Sequence, residues 1–249
     1  MDAAMRIPNP GDQAKAPGLM AKNRPLEFAP PGSDELLEKT VRTMGCPSPE
    51  AAGPAVVRAV GDLYETMCSW LEPASLFSWT QLDSIEKGAI LAGDVRVPSA
   101  KWARLASICE DATGLVAFAV TIGTRIEAGI KELSETSLVS SYVADAMASV
   151  LAEHFADAAE DHAAASLADA GLHGTSRFSP GYCDLPLEAG QKALTTLLDP
   201  LPAGLRVMPS GLMRPRKSVT AFLVAARHVP HKTPCFLCAR DCPHRREPR

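Results

Sequence analysis

Arg177-Phe178-Ser179-Pro180-Gly181-Tyr182 stands where the character of the chain changes. Pro180-Gly181 forces a turn and removes a side chain, so a ligand can approach the backbone closely there. Arg177 offers a planar fork suited to a carboxylate, and Tyr182 offers an aromatic face that ends in a hydroxyl. A turn bracketed in this way suits an amino-acid-like ligand. A plain structural turn with a surface arginine has the same spacing.

Upstream of this turn the pattern is helical. From Ser137 to about Leu167, the residues Val139, Tyr142, Val143, Ala146, Met147, Val150, Leu151 and Phe155 keep a 3.6-residue period. Before it, Leu115 to Ile122 is a continuous apolar run closed by Gly123, the pattern of a buried strand, and Thr124 stands where a cap for a helix through Ile126, Ile130 and Leu133 belongs. Two more helices are predicted nearer the start. One begins at Ser33 as N-cap, with Asp34 and Glu35 in its first turn; the other runs from Pro54 to Leu71. Ser75 to Lys101 is mixed and yields no assignment. Downstream of the turn, Leu205 to Met208 and Ser218 to Ala225 are β-branched and aromatic enough for strands. Helices early and strands late predict an α+β fold.

Residues 1–32 hold six prolines and almost no apolar period, which predicts a disordered or loosely packed arm ahead of one domain over 33–230. Residues 231–249 form a basic, cysteine-rich tail. The chain carries 25 basic and 29 acidic residues, a net charge of −4, which argues against a general nucleic-acid binder. From Met213 onward there are nine Lys or Arg against two acidic residues, so +7 at the end balances −4 − 7 = −11 elsewhere. That asymmetry predicts contact with an anionic partner, although a tail selected for solubility has the same charge. No apolar run has the length of a membrane span, and the first residues lack a signal-peptide core. A cytoplasmic protein is expected.

The turn continues as Cys183-Asp184-Leu185-Pro186-Leu187, then Gln191, Leu194 and Leu197-Leu198. Together with Gly204-Leu205-Arg206-Val207 and the stretch Ser210 to Val219, this resembles the activation domain of cobalamin-dependent methionine synthase. Val120-Thr121-Ile122-Gly123 and Leu151-Ala152-Glu153-His154-Phe155 also fit that pattern. The likeness extends over 33–229 and is sharp from Arg177 to Val219. It implies N-terminal helices packed with a twisted, mainly antiparallel sheet, in a free-standing version of the domain. It also implies binding of S-adenosylmethionine and reductive methylation of an inactive cob(II)alamin held by a methionine synthase core or another corrinoid protein, with an electron from a flavodoxin-like donor. On matching positions, Arg177 would hold the methionyl carboxylate, Gly181 would leave room for the ligand, and Tyr182 would lie near the sulfonium. Glu153 would face the ligand's amino group or ribose, although it stands among Asp145, Asp157 and Glu160, a grouping that ordinarily marks a solvated face. Two departures stand out: Cys183 follows Gly-Tyr where a small residue is expected, and Arg214 and Arg216 make the Met-Pro turn unusually basic.

The tail supplies a second candidate site. Cys235-x-x-Cys238-x-x-x-Cys242 packs three soft ligands into eight residues, as zinc or an iron–sulfur cluster requires. The two-then-three spacing is the reverse of the radical S-adenosylmethionine signature. Cys183, His244 and His231 are candidates for a fourth ligand. Cys46, Cys68 and Cys109 read instead as small buried hydrophobes. Two rival functions follow: a metal-cluster redox protein that reduces corrinoids without a methyl donor, and a non-catalytic docking adaptor with the same fold.

Overall fold

In the computed structural model, residues 5–6, 26–202 and 204–237 are described. The first strand, β1 (Met5–Arg6), precedes three helices, α1 (Ser33–Thr43), α2 (Pro49–Ala52) and α3 (Pro54–Ser69). Gly32, and not Ser33, is the N-cap of α1; Ser33 is its first helical residue, so the acidic pair Asp34 and Glu35 supplies the favourable end charge. Residues 26–32 are packed onto the domain: the Leu26 amide donates to Ser75 Oγ, the Tyr64 hydroxyl donates to the Pro31 carbonyl, and the Phe28 ring lies 4.7 Å from Phe155.

Ser75 to Lys101, unassigned from sequence, is mostly sheet. It contains β2 (Ala74–Glu86), β3 (Ala89–Ala92) and β4 (Val95–Val97), and leads into α4 (Ala100–Ser107) and β5 (Glu110–Thr121). The expected order, helices early and strands late, is therefore corrected, because most of the sheet precedes the long helix. Alternation in β2 is weak: eight of its thirteen residues are neither fully buried nor exposed, which blurs the period on which a sequence reading depends.

Next come α5 (Arg125–Thr136) and α6 (Leu138–Asp169), the latter 32 residues long with Ser137 Oγ accepting from the Ser140 amide. Thr124 occupies the cap position of α5 but its side chain makes no capping bond. Val139 and Tyr142, expected in the core, are exposed on the first turns of α6, and burial begins at Val143. After α6 come β6 (His173–Gly174), α7 (Leu187–Leu197), β7 (Arg206–Val207), β8 (Met213–Arg214) and β9 (Ser218–His228), followed by a short 3-10 turn at Pro234–Leu237.

The main sheet runs β4-β3-β2-β5-β9-β6, antiparallel throughout, with β1 added beside the end of β2. Both faces of β5 are covered, which is why its sequence is apolar without alternation. Val116, Phe118 and Val120 meet α1, α3, α5 and α6, while Leu115, Ala117 and Ala119 meet a second core with α4 and α7. Among the described residues no helix is long and apolar enough to cross a membrane.

Candidate binding cleft

Arg177 and Phe178 continue the edge of β9. Phe178 exchanges two backbone hydrogen bonds of 2.9 Å with Phe222, so successive side chains leave opposite faces. Phe178 turns into the second core, stacked on Trp102 at 4.1 Å and tilted against Phe222 at 5.4 Å. Arg177 turns the other way, onto α6, and its side chain is 3% exposed.

There it meets three carboxylates. Arg177 Nη2 donates to Glu153 at 2.9 Å; Nη1 donates to Asp157 at 2.7 Å and to Glu160 at 2.5 Å. The Arg177 amide donates to the other Glu160 oxygen at 3.0 Å. Spacings of four and three residues put all three carboxylates on one face of α6. Burial by itself would weaken the charge on Arg177, but the Asp157 bond and the attraction of Glu160, Asp157 and Glu153 outweigh it, and its pKa lies above the ordinary value. Three carboxylates around one guanidinium leave a formal charge of −2 at this wall. The solvated face expected at Asp157 and Glu160 is instead partly buried against Arg177. Their i, i+4, i+7 spacing with Glu153 was the available signal, and only the fold brings a buried arginine opposite it.

A turn farther toward the start of α6 the same pairing recurs. Lys217 Nζ lies 3.0 Å from Asp145 and donates to Ser149 Oγ at 2.8 Å, and Arg216 Nη2 lies 3.3 Å from Asp145. The long helix thus clamps both basic segments that carry the sequence likeness.

Beyond Arg177 the chain opens a cleft of about 1080 Å³. Its floor is the polar start of β9, Ser218 and Thr220; the turn Ser179 to Cys183 forms one wall. The β7–β8 hairpin overhangs it with Met208 and Leu212, both exposed. Gly181 has φ +88, a conformation that disfavours any residue with a Cβ. A Cβ there would meet Leu187 at an ordinary 3.5 Å, so backbone shape, more than lack of space, requires glycine. Gly190 of α7 differs: a Cβ would come within 2.8 Å of Pro180, so the helix packs directly against the turn. Tyr182 is 56% exposed at the rim.

Gln191 lies at the bottom, buried. Its Nε2 donates to Thr220 Oγ1 at 3.0 Å, while Oε1 has no hydrogen-bond partner among the described residues. A buried acceptor facing a cleft without a donor is costly unless a ligand or water supplies one. Gln191 belonged to the quoted motif, but sequence assigned it no role.

At the lip stand two thiols. Cys183 follows the turn with φ +61, and Cys235 lines the same cleft. Burial raises the Cys183 pKa, with Lys101 opposing. Cys238, Cys242 and His244 lie outside the described residues. His231 stacks on Phe236 at 3.8 Å, and among the described residues no three metal-ligating side chains converge. Of the outlying cysteines Cys109 is buried, and Cys46 and Cys68 are half-buried. One cleft therefore gathers Arg177, Gly181, Tyr182, Glu153, Cys183 and Cys235.

A solved structure shares this architecture: a MetH reactivation domain, determined bound to AdoHcy, with a TM-score of 0.55. The likeness covers 82% of this chain and 78% of that one at 16% identity. The fold is that of a reactivation domain. No family model matches the chain, and no curated protein does. The α+β class and the antiparallel sheet expected from sequence agree with the reactivation-domain fold.

Proposed function

We propose that the cleft binds S-adenosylmethionine and that the chain acts as a cytoplasmic, free-standing reactivation subunit for a corrinoid protein, foremost a cobalamin-dependent methionine synthase core. The observation that carries this reading is the wall around Arg177, where a surplus of negative charge opens onto a deep, partly apolar cleft. A sulfonium compound with an ammonium group is attracted by such a wall without any acid–base chemistry. The fold, shared with a domain solved in complex with AdoHcy, supports the same ligand class.

Within this reading Arg177 holds the ligand's carboxylate through the N–H donors that α6 leaves uncommitted. Glu153 is the most exposed of the three carboxylates and the one free to turn toward the ligand's ammonium or ribose. Tyr182 lays its ring along the sulfonium. Gly181 keeps the turn in shape, and the unpartnered Gln191 Oε1 accepts from a ligand hydroxyl or amino group. The chain presents the methyl group, and the reduced corrinoid of the partner supplies the nucleophile once a flavodoxin-like donor has given one electron; S-adenosylhomocysteine remains. For the protein the task is positioning. Arg214 and Arg216 on and beside β8 line the cleft and favour an acidic partner surface there.

The test mixes the purified chain, a methionine synthase core loaded with cob(II)alamin, reduced flavodoxin and methyl-labelled S-adenosylmethionine. Labelled methylcobalamin, formed only when the chain is present, is the expected result. Binding without transfer would reduce the chain to an adaptor.

A further inference from the structure

The cleft crosses the edge of β9, and its two ends differ in chemistry. Arg177 leaves the sheet on the α6 face, where Glu153, Asp157 and Glu160 hold it. Thr220 alternates with Ala221 along β9, so it shares the opposite face with Phe222 of the second core. Gln191 of α7 meets Thr220 on that face. An extended ligand whose charged groups lie at Arg177 therefore reaches the α7 side with its other end.

The α7 end is largely apolar around a single amide. Leu187 and Gln191 stand one turn apart on α7, and both line the cleft. The tip of the β7–β8 hairpin lies over the same helix: a Cβ on Gly211 would come within 2.9 Å of the Leu187 side chain and 3.6 Å of Glu188 Cα. Met208 and Leu212, flanking that glycine, add apolar lining. Gln191 itself is 3% exposed, and Thr220, which accepts from its Nε2, is 2% exposed. Gly190 fixes the backbone beside it, because α7 approaches Pro180 there too closely for a Cβ. The amide is thus held in place and offers the cleft an acceptor, Oε1, that has no partner among the described residues. A ligand group that reaches it must donate.

A flat group with apolar faces and a donor on its edge satisfies all of these features, and a 6-aminopurine is such a group. With S-adenosylmethionine as the ligand, the function on which this step rests, we propose that Gln191 reads its nucleobase. Oε1 accepts from the exocyclic amino group of adenine, and the cleft thereby selects adenosyl compounds over their 6-oxo, inosyl counterparts. A 6-oxo base would set its own oxygen against Oε1, two acceptors with no proton between them. Thr220 is a positioning residue: by engaging Nε2 it leaves Oε1 for the base.

The full-length chain is titrated by calorimetry with S-adenosylhomocysteine and with S-inosylhomocysteine, which differ only in the base. The wild type should bind the adenosyl compound about a hundredfold more tightly, the effect of a lost hydrogen bond together with an unpaired buried acceptor. Gln191→Leu should bind the adenosyl compound about tenfold more weakly and bring the two compounds within about threefold of each other. Thr220→Val keeps the side-chain shape but frees the amide to turn over, so the preference should fall by about tenfold with the circular dichroism unchanged. Equal affinities in the wild type, a preference for the inosyl compound, or an undiminished preference in Gln191→Leu would each overturn the assignment and leave the ligand class of the cleft standing. Binding of neither compound would overturn both.

Discussion

Ala221, Leu223 and Ala225 of β9 pack under α6 in a continuous apolar core, whereas Ser218 and Thr220, on the same strand, floor the cleft. The helical side of the sheet is filled by Phe118, Phe155, Met147 and Leu151, none measurably exposed. The opposite side is closed by α4 and α7 only in part, and where it stays open it shows polar floor residues, an unpartnered amide oxygen and glycines with positive φ. One sheet thus has a face that stabilises and a face that binds. Arg177 belongs to both, because it is pinned to α6 yet lines the cleft.

That division can be broken or sharpened by mutation. Arg177→Ala should have the largest effect, since it strands Asp157 and Glu160 without their cation. Urea titration should show a loss of about 3–5 kcal/mol, and calorimetry a loss of S-adenosylmethionine binding. Phe118→Ala should cost a similar 3–5 kcal/mol through a core cavity, while the ligand affinity of the remaining folded protein stays near wild type. Tyr182→Ala should do the reverse: about tenfold or more lost in affinity if its ring faces a cation, with stability changed by less than about 0.5 kcal/mol. Gln191→Leu should weaken binding by roughly tenfold, the value of one good hydrogen bond, and leave the fold intact by circular dichroism.

The smallest effect concerns pH. Burial pushes the Cys109 thiol, in the core under the cleft face, from 9.0 up to about 11. Its folded pKa lies above the unfolded one, so the contribution is complete below the unfolded value and fades as pH rises through the folded one. Stability should fall by about 1 kcal/mol between roughly pH 8 and 10, and Cys109→Ala should flatten that slope.

The helical face was legible because its signal is periodic: α1, α3, α5 and most of α6 lie where apolar spacing predicted them, as do β5 and β9. β2, β3 and β4 were not, because the half-buried residues of β2 alternate poorly and the two strands after it are short. The exposed Val139 and Tyr142 continue the apolar period beyond the end of the core, where spacing carries no information about neighbours. At the cleft, the local motif exposed Arg177, Gly181, Tyr182 and Cys183. It did not reveal that Glu153, Asp157 and Glu160 already clasp Arg177, since that contact spans seventeen to twenty-four residues. Nor did it reveal the orphan oxygen of Gln191, which exists only because α7 presses its partner amide onto β9.

The most direct measurement is a calorimetric titration of the purified chain with S-adenosylmethionine, repeated by thermal melting at a hundredfold excess over the measured dissociation constant. One saturable site should appear, with about 2.7 kcal/mol of added stability, and Tyr182→Ala at the same ligand concentration should bind about tenfold more weakly and keep only about 1.4 kcal/mol of it. A flat titration with an unchanged melting curve would contradict a cleft built for that ligand.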